Sequence, residues 1–304
     1  MSQLNEETIK EKNSKYSLML NIIFGISILG IIFYYIFSSP IRENDVIIHI
    51  ASSDSLAQIS KELDKKSVIS HPFIFKLFVS VLSDDKKIPK GDYLFKKGES
   101  LFGVVWQVSK GQHGVDPIRV TFKEGITKND MALILTDKIS NFRKDLFLTD
   151  DRSREGYLFP DTYFFYSLST TDEILNEITN NFNKRISKVE AEIKSSGHSM
   201  SDIIIMASIL EKEAKGKEDG AIISGILWKR IKLGMPLQVD AAPSTYEESG
   251  LPNSPISNPG LSSIDFAINP KESPYLFYLH DKDGKVHYAE DFSEHRSNIA
   301  RFLK

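Results

Sequence analysis

The sequence predicts an α+β protein: a single N-terminal transmembrane helix, a small α+β subdomain, and a larger mixed α+β domain. Three observations predict this. An uncharged run covers residues 17–37. Short strand-like runs alternate with helix-like periods from residue 46 to about residue 140. The second half holds a run, residues 203–210, that is apolar on all sides and ends in two carboxylates, Glu211 and Glu213.

Composition narrows the function before any motif is read. A chain of 304 residues has room for one large core or two smaller ones. Its 41% apolar and 26% charged content is that of an ordinary globular protein. The formal charge of -3, without an arginine-rich strip interleaved with aromatics, excludes a general nucleic-acid binder. The absence of cysteine rules out disulfides, thiolate metal sites and cysteine nucleophiles, and it suits life outside the cytoplasm. The histidines are scattered without metal-ligand spacing, so neither a metal nor a cofactor is expected.

The uncharged run comes first. Its 21 positions match the ~20 that a helix needs to cross a bilayer. Tyr34 and Tyr35 stand where aromatics line a membrane interface. Lys10, Lys12 and Lys15 precede the run and only Arg42 follows closely. That asymmetry makes residues 1–16 a cytoplasmic tail and sends everything after residue 40 across the membrane. A cleaved signal peptide would have a shorter apolar core, and Phe37-Ser38-Ser39-Pro40 lacks a small-x-small site with an acceptable following residue. A soluble buried helix of this length would need polar relief on one face. The expectation is an uncleaved, single-pass anchor at 17–37 in the cytoplasmic membrane.

A strand-then-helix phrase follows three times. Residues 46–50 precede Leu56, Ile59 and Leu63; residues 92–95 precede Leu101, Val104, Val105 and Val108; residues 118–122 precede Met131, Leu135 and Ile139. Each strand runs into a Gly- or Ser-containing turn that can cap the next helix. Residues 73–82 add a further amphipathic helix between the first two phrases. Strand, helix, helix, strand over residues 44 to about 96 resembles a LysM-type module, a small α+β fold that binds glycans. Residues 44–113 are assigned to this LysM-like subdomain and 114–304 to the second domain; a spacer role for the first stays open.

Residues 141–170 are less periodic and contain an aromatic stretch that reads as core plugs or as a sugar-stacking wall. Ile174, Ile178, Phe182, Ile186, Val189 and Ile193 then predict one long amphipathic helix. The buried helix over 203–210 has Ser199 or Ser201 to cap it and Gly216 to stop it. Residues 222–233 read as a helix stopped by Gly234. An extended run follows, placing Gln238 and Asp240 on one side, and then a loop of about 20 residues, a length that is usually functional. A short helix near 263–268, a hairpin turned at 281–284 and a helix from Ser293 complete the chain.

Two carboxylates at the end of a buried helix are costly unless something keeps them there. Residues two apart differ by roughly 200° around a helix axis, so Glu211 and Glu213 point nearly opposite ways. Both faces are apolar, and periodicity does not choose between them.

The motifs Glu155-Gly-Tyr-Leu-Phe-Pro-Asp-Thr162, Met206-Ala-Ser-Ile-Leu-Glu-Lys-Glu213 and Leu233-Gly-Met-Pro-Leu-Gln-Val-Asp240 stand in this order. Gly250-Leu-Pro252, Pro255-Ile-Ser-Asn-Pro-Gly260, Pro274-Tyr-Leu-Phe-Tyr278 and Glu294-His295 follow. Together they resemble the YceG-like family, the membrane-anchored endolytic murein transglycosylases of the MltG type. The resemblance spans residues 46–304 and implies a YceG-like catalytic domain over 114–304.

The resemblance maps the family's catalytic glutamate to Glu213. It implies cleavage of the MurNAc–GlcNAc β-1,4 bond of nascent peptidoglycan strands, leaving 1,6-anhydroMurNAc ends. A glutamate at the end of an apolar helix loses hydration, which raises its pKa and keeps it protonated as a general acid near neutral pH. Gln238, Asp240, Tyr246 and Asn258 are candidates to bind the sugars or to stabilise the loop. Glu211 reads as a structural partner, to Lys215 at i+4, and His295 as a source of an orienting hydrogen bond. The resemblance further implies peptidoglycan strands and cell-wall synthases as partners.

Two departures stand out. Ala214 follows the acid where the family commonly has a small hydroxyl residue, and the stretch between Asp240 and Ser244 is short for the family. They leave open a non-catalytic peptidoglycan-binding or wall-assembly scaffold. A water-using glycosidase with Asp240 as second carboxylate is the third reading.

Overall fold

The computed structural model describes residues 2–38, 40, 42–83, 88–214 and 216–303; the side chains of residues 2–15, 32, 35–37, 217 and 218 fall outside that description. The chain divides into two compact units, Met1–Asp116 and Pro117–Lys304.

The first unit opens with α1 (Ser2–Phe37). Its apolar side chains, among them Leu18, Phe24, Leu29 and Phe33, are exposed. Among the described residues no helix is long and apolar enough to cross a membrane. The span expected at 17–37 includes positions 32 and 35–37, whose side chains lie outside the described residues. Strands β1 (Val46–Ile50) and β2 (Gly91–Phe95) pair antiparallel, with Val46 opposite Phe95 and Ile50 opposite Gly91. Between them lie α2 (Leu56–Lys65), started by a Ser55–Gln58 capping box, and α3 (Pro72–Leu82), with proline at its first turn. Helix α4 (Leu101–Ser109) follows, capped by Ser100. Ile48, Ile50, Leu63, Phe75, Val79, Tyr93, Phe95, Val104, Val105 and Val108 form this unit's core, the positions that the period-2 and period-3.6 patterns select.

In the second unit β3 (Ile118–Thr121) pairs antiparallel with β4 (Thr162–Phe165). Thr127 caps α5 (Lys128–Lys138), and α6 (Lys144–Thr149) and β4 occupy the stretch that lacked periodicity. Leu158, Phe159, Tyr163 and Phe165 are buried, so these residues of the aromatic stretch are core plugs. The single helix expected over 174–193 is two: α7 (Thr171–Ile186) and α8 (Glu190–Ser195). Lys188 and Val189 bond back to the carbonyls three residues earlier, Arg185 and Ile186, and this tight turn interrupts the α ladder. Ile186, Val189 and Ile193 still reach the core because the apolar spacing survives the turn.

Helix α9 (Met200–Glu213) starts on a Ser199–Asp202 capping box, and residues 203–210 are buried all round. It ends at an extended Ala214, ahead of the expected stop at Gly216, which instead precedes α10 (Lys217–Lys232) as its N-cap. The loop after α10 contains a 3₁₀ turn, Pro243–Tyr246. Helix α11 (Leu261–Ile268), hairpin strands β5 (Phe277–His280) and β6 (Val286–Ala289), and α12 (Phe292–Phe302) close the unit. The core here gathers around α9, against Ile223 and Leu227 of α10 and Ile264 and Ala267 of α11.

Candidate active site

One side of α9 is fastened to the loop that leads into α11. Ser208 is fully buried, and its Oγ accepts from the amide of Ile256 at 3.0 Å. Three residues on, Glu211 Oε2 accepts from the amide of Gly260 at 2.9 Å. Gly260 is the N-cap of α11, so Glu211 satisfies an orphan amide and places negative charge at a helix N-terminus. Glu211 thus has a structural partner, at Gly260; Lys215, the partner expected from spacing, lies outside the described residues.

Glu213 faces different neighbours, as the ~200° separation of the two acids requires. The Tyr278 hydroxyl donates to its Oε2 at 3.1 Å. Burial pushes the Glu213 carboxyl above the ordinary carboxylate range, and the charge of Asp240 pushes the same way. Tyr278, His280 and the backbone amide of Ala241 pull it back. Glu213 therefore lies between β5 on one side and the 238–246 loop on the other.

That loop is folded on itself around Thr245. The buried Thr245 Oγ1 accepts from the Val239 amide at 3.1 Å and donates to the Ala242 carbonyl at 2.6 Å. Gln238 bonds through its backbone to Thr245 and holds a left-handed φ of 54°, strained for a residue with a side chain. Leu237 and Val239 point into the core while Gln238 and Asp240 face outward, the same-side placement expected from alternation. The Tyr246 hydroxyl donates to Asp240 Oδ1 at 2.6 Å. Tyr246, Asp240 and Glu213 thus form one electrostatically linked group, and hydrogen bonding to Asp240 raises the Tyr246 pKa.

Arg230 joins the two walls. It is 4% exposed, its Nε donates to the Leu276 carbonyl at 2.7 Å, and its Nη1 donates to the Leu237 carbonyl at 2.6 Å. Leu276 lies two residues before Tyr278, and Leu237 lies just before Gln238. The guanidinium also lies 5.0 Å from the Phe277 ring centre. Burial lowers its pKa. The sequence singles out neither Arg230 nor His280, and Tyr278 lies in the Pro274–Tyr278 motif without an assigned role. The signals available were a basic residue on the apolar side of α10 and the alternation of β5.

The remaining candidates sit elsewhere. Asn258 is fully buried: Oδ1 accepts from the Leu158 amide at 3.0 Å, and Nδ2 donates to the Ile126 carbonyl at 3.0 Å and to Glu155 Oε1 at 2.6 Å. Its amide is used up inside the fold, which is the loop-stabilising alternative for this residue. Glu155 also accepts from the first amide of α5, Lys128, so the Glu155-Gly156 motif and Asn258 tie three segments together. His295 stacks on Phe277, with ring centres 5.2 Å apart and Nδ1 buried without a partner. Phe277 and Tyr278 are successive strand residues and point to opposite faces, so His295 lies on the side of β5 away from Glu213. Among the described residues no group of three or more His, Asp or Glu could hold a metal ion.

The YceG-like family pattern matches residues 48–243 and 244–301. The chain belongs to the YceG-like family. The two matched blocks of this YceG-like protein meet within the 3₁₀ turn. An endolytic murein transglycosylase of Bacillus subtilis is 25% identical over an alignment 307 residues long, gaps included, that covers 85% of each chain. An endolytic murein transglycosylase of Streptococcus pneumoniae is 24% identical over 331 residues, covering 87% of this chain and 60% of that relative. The crystal structure of a yceG-like protein from Listeria monocytogenes shares the fold, with a TM-score of 0.54, 24% identity, and coverage of 84% of this chain and 99% of that one.

Proposed function

We propose that this YceG-like protein is an endolytic peptidoglycan lytic transglycosylase with Glu213 as its catalytic acid and base. One observation carries the reading: Glu213 is a half-buried carboxyl whose pKa burial raises, at the end of a buried helix, facing the outward side chains Asp240 and Tyr246. A protonated Glu213 donates to the glycosidic oxygen between MurNAc and GlcNAc. As a carboxylate it then takes the proton of the C6 hydroxyl, which attacks C1 of the same MurNAc and closes a 1,6-anhydro ring without consuming water. Gln238, Asp240 and Tyr246 line the side on which the sugars bind, and Asp240 steadies the positive charge that develops at C1.

The βααβ order and antiparallel pairing of the first unit support a LysM-like glycan-binding role for it. The exposed apolar side chains of α1, with Lys10, Lys12 and Lys15 ahead and Arg42 behind, support a single-pass anchor with the second unit outside the cytoplasm. Wall synthases are partners by family resemblance alone. The competing reading is a scaffold that kept the fold with an impaired cleft; it rests on reading the stretch between Asp240 and Ser244 as short for the family.

Mass analysis of glycan strands incubated with the full-length protein decides between these readings. Anhydro ends, one water lighter than reducing ends, support the proposal. Reducing ends point to hydrolysis through Asp240, and intact strands point to the scaffold. Glu213→Gln abolishes cleavage, whereas Glu211→Gln, which keeps an acceptor for Gly260, leaves it active. Unimpaired cleavage by Glu213→Gln refutes the assignment.

A further inference from the structure

We infer that Tyr278 is a positioning residue that confines the transferable proton of Glu213 to one carboxyl oxygen, so that a single oxygen gives up the proton and later takes one back. The inference rests on the transglycosylase reading above. The geometry is direct: the Tyr278 hydroxyl donates to Glu213 Oε2 with 3.1 Å between the oxygens, and the inference assigns the acidic hydrogen to Oε1. As the C1–O4 bond breaks, its electron pair goes to the leaving oxygen, which takes the proton from Oε1. The C6 oxygen then bonds C1 and passes its own proton to Oε1, restoring the acid.

Two further features keep Tyr278 in this role. Burial, then the Glu213 charge and the hydrogen bond to it, hold the phenol well above the ordinary tyrosine range, so it stays a donor throughout the working pH. Its position is fixed as well. Tyr278 sits opposite Tyr288 in the β5–β6 ladder, and Arg230 holds the Leu276 carbonyl two residues before it. The backbone amide of Ala241 also donates to Glu213, but from the 238–246 loop rather than from the β5–β6 ladder, and the remaining groups facing Glu213 do not bond to it. Asp240 and Tyr246 bond to each other across the loop, and His280, which favours the Glu213 carboxylate, has its Nε2 buried without a partner. Arg230, on α10, faces the two tyrosines.

Tyr278→Phe in the full-length chain removes one atom and tests the role. We expect kcat to fall about 10- to 100-fold with KM nearly unchanged, the loss expected for one hydrogen bond to a charged group. The lost donor favoured the carboxylate, so the Glu213 pKa rises and the alkaline limb of kcat/KM moves up. A purely structural role lowers the rate without moving the limb. The second measurement needs no substrate: the ¹³C-carboxyl titration of Glu213, recognised by its absence in Glu213→Gln, shifts upward in Tyr278→Phe. An unmoved or lowered titration overturns the inference whatever happens to cleavage, whereas absence of cleavage by the parent protein overturns only the reaction reading. If Tyr278→Phe does not fold, 3-fluorotyrosine at position 278 serves instead. Its stronger donor moves the titration down, and an unmoved titration again overturns the inference.

Discussion

Arg230→Lys tests whether the two walls of the site are held by one side chain. Arginine reaches two carbonyls from two nitrogens in a fixed fork, at Leu276 and Leu237. Lysine has one nitrogen and serves one of them. The lost charged hydrogen bond costs about 1.5–3 kcal/mol, and leaving the second carbonyl unpaired near the core keeps the loss toward the upper end of that range. The cation–π contact with Phe277 adds about 0.5–1 kcal/mol. A total of about 3 kcal/mol lowers the melting temperature of a unit this size by about 6–12 °C. Differential scanning calorimetry of the full-length protein reads that loss. Activity falls further than stability predicts, because Tyr278 and Asp240 no longer hold a fixed separation across Glu213, and about 10- to 100-fold in kcat is expected. A variant that melts within about 2 °C of the parent and keeps its kcat would falsify the claim that Arg230 fastens both walls.

Two further outcomes follow from the same geometry. Asp240→Asn removes a negative charge that raises the Glu213 pKa, so the acid ionises earlier and the alkaline limb of kcat/KM moves down. Because Asp240 is exposed and screened, the shift is small and opposite in sign to that of Tyr278→Phe, and a pH–rate profile reads both. Asn258→Ala strands the Leu158 amide and removes the donor to Glu155, costing about 2–4 kcal/mol with KM for glycan unchanged; a raised KM at parental stability would show that the residue binds sugar.

How much of this was legible in the sequence depends on how local the cause is. Ser55, Ser100, Thr127 and Ser199 cap helices because a hydroxyl meets an amide three residues on, a relation that spacing alone displays. The opposed directions of Glu211 and Glu213 follow from helix geometry, but their partners do not. Gly260 and Tyr278 reach α9 from 49 and 65 residues away, and no periodicity encodes those meetings. The long helix over 174–193 was misread because Ile186, Val189 and Ile193 keep their core-facing spacing through a tight turn as well as through a helix. Asn258 sits in a Pro-, Ser- and Gly-rich loop that looks exposed by composition, yet the loop packs along α9 and buries it. Arg230 was invisible for the converse reason: a charged residue on a helix is expected at the surface, and only the two carbonyls around it explain its place inside.

The fastening of α9 gives that helix a fixed phase. Taking Ser208 as zero, Glu211 lies at roughly 300° and Glu213 at roughly 140° around the axis. The first two are clamped to the 256–260 loop, and the third must meet the hairpin. The identity of the apolar residues in between is therefore freer than their number. Removing or adding one residue between Ser208 and Glu213 swings the acid by about 100° and carries it away from Tyr278 while the core remains apolar. The same change ahead of Ser199 only lengthens or shortens a connection. Substitution by another apolar residue is thus tolerated along this helix where a change of length is not.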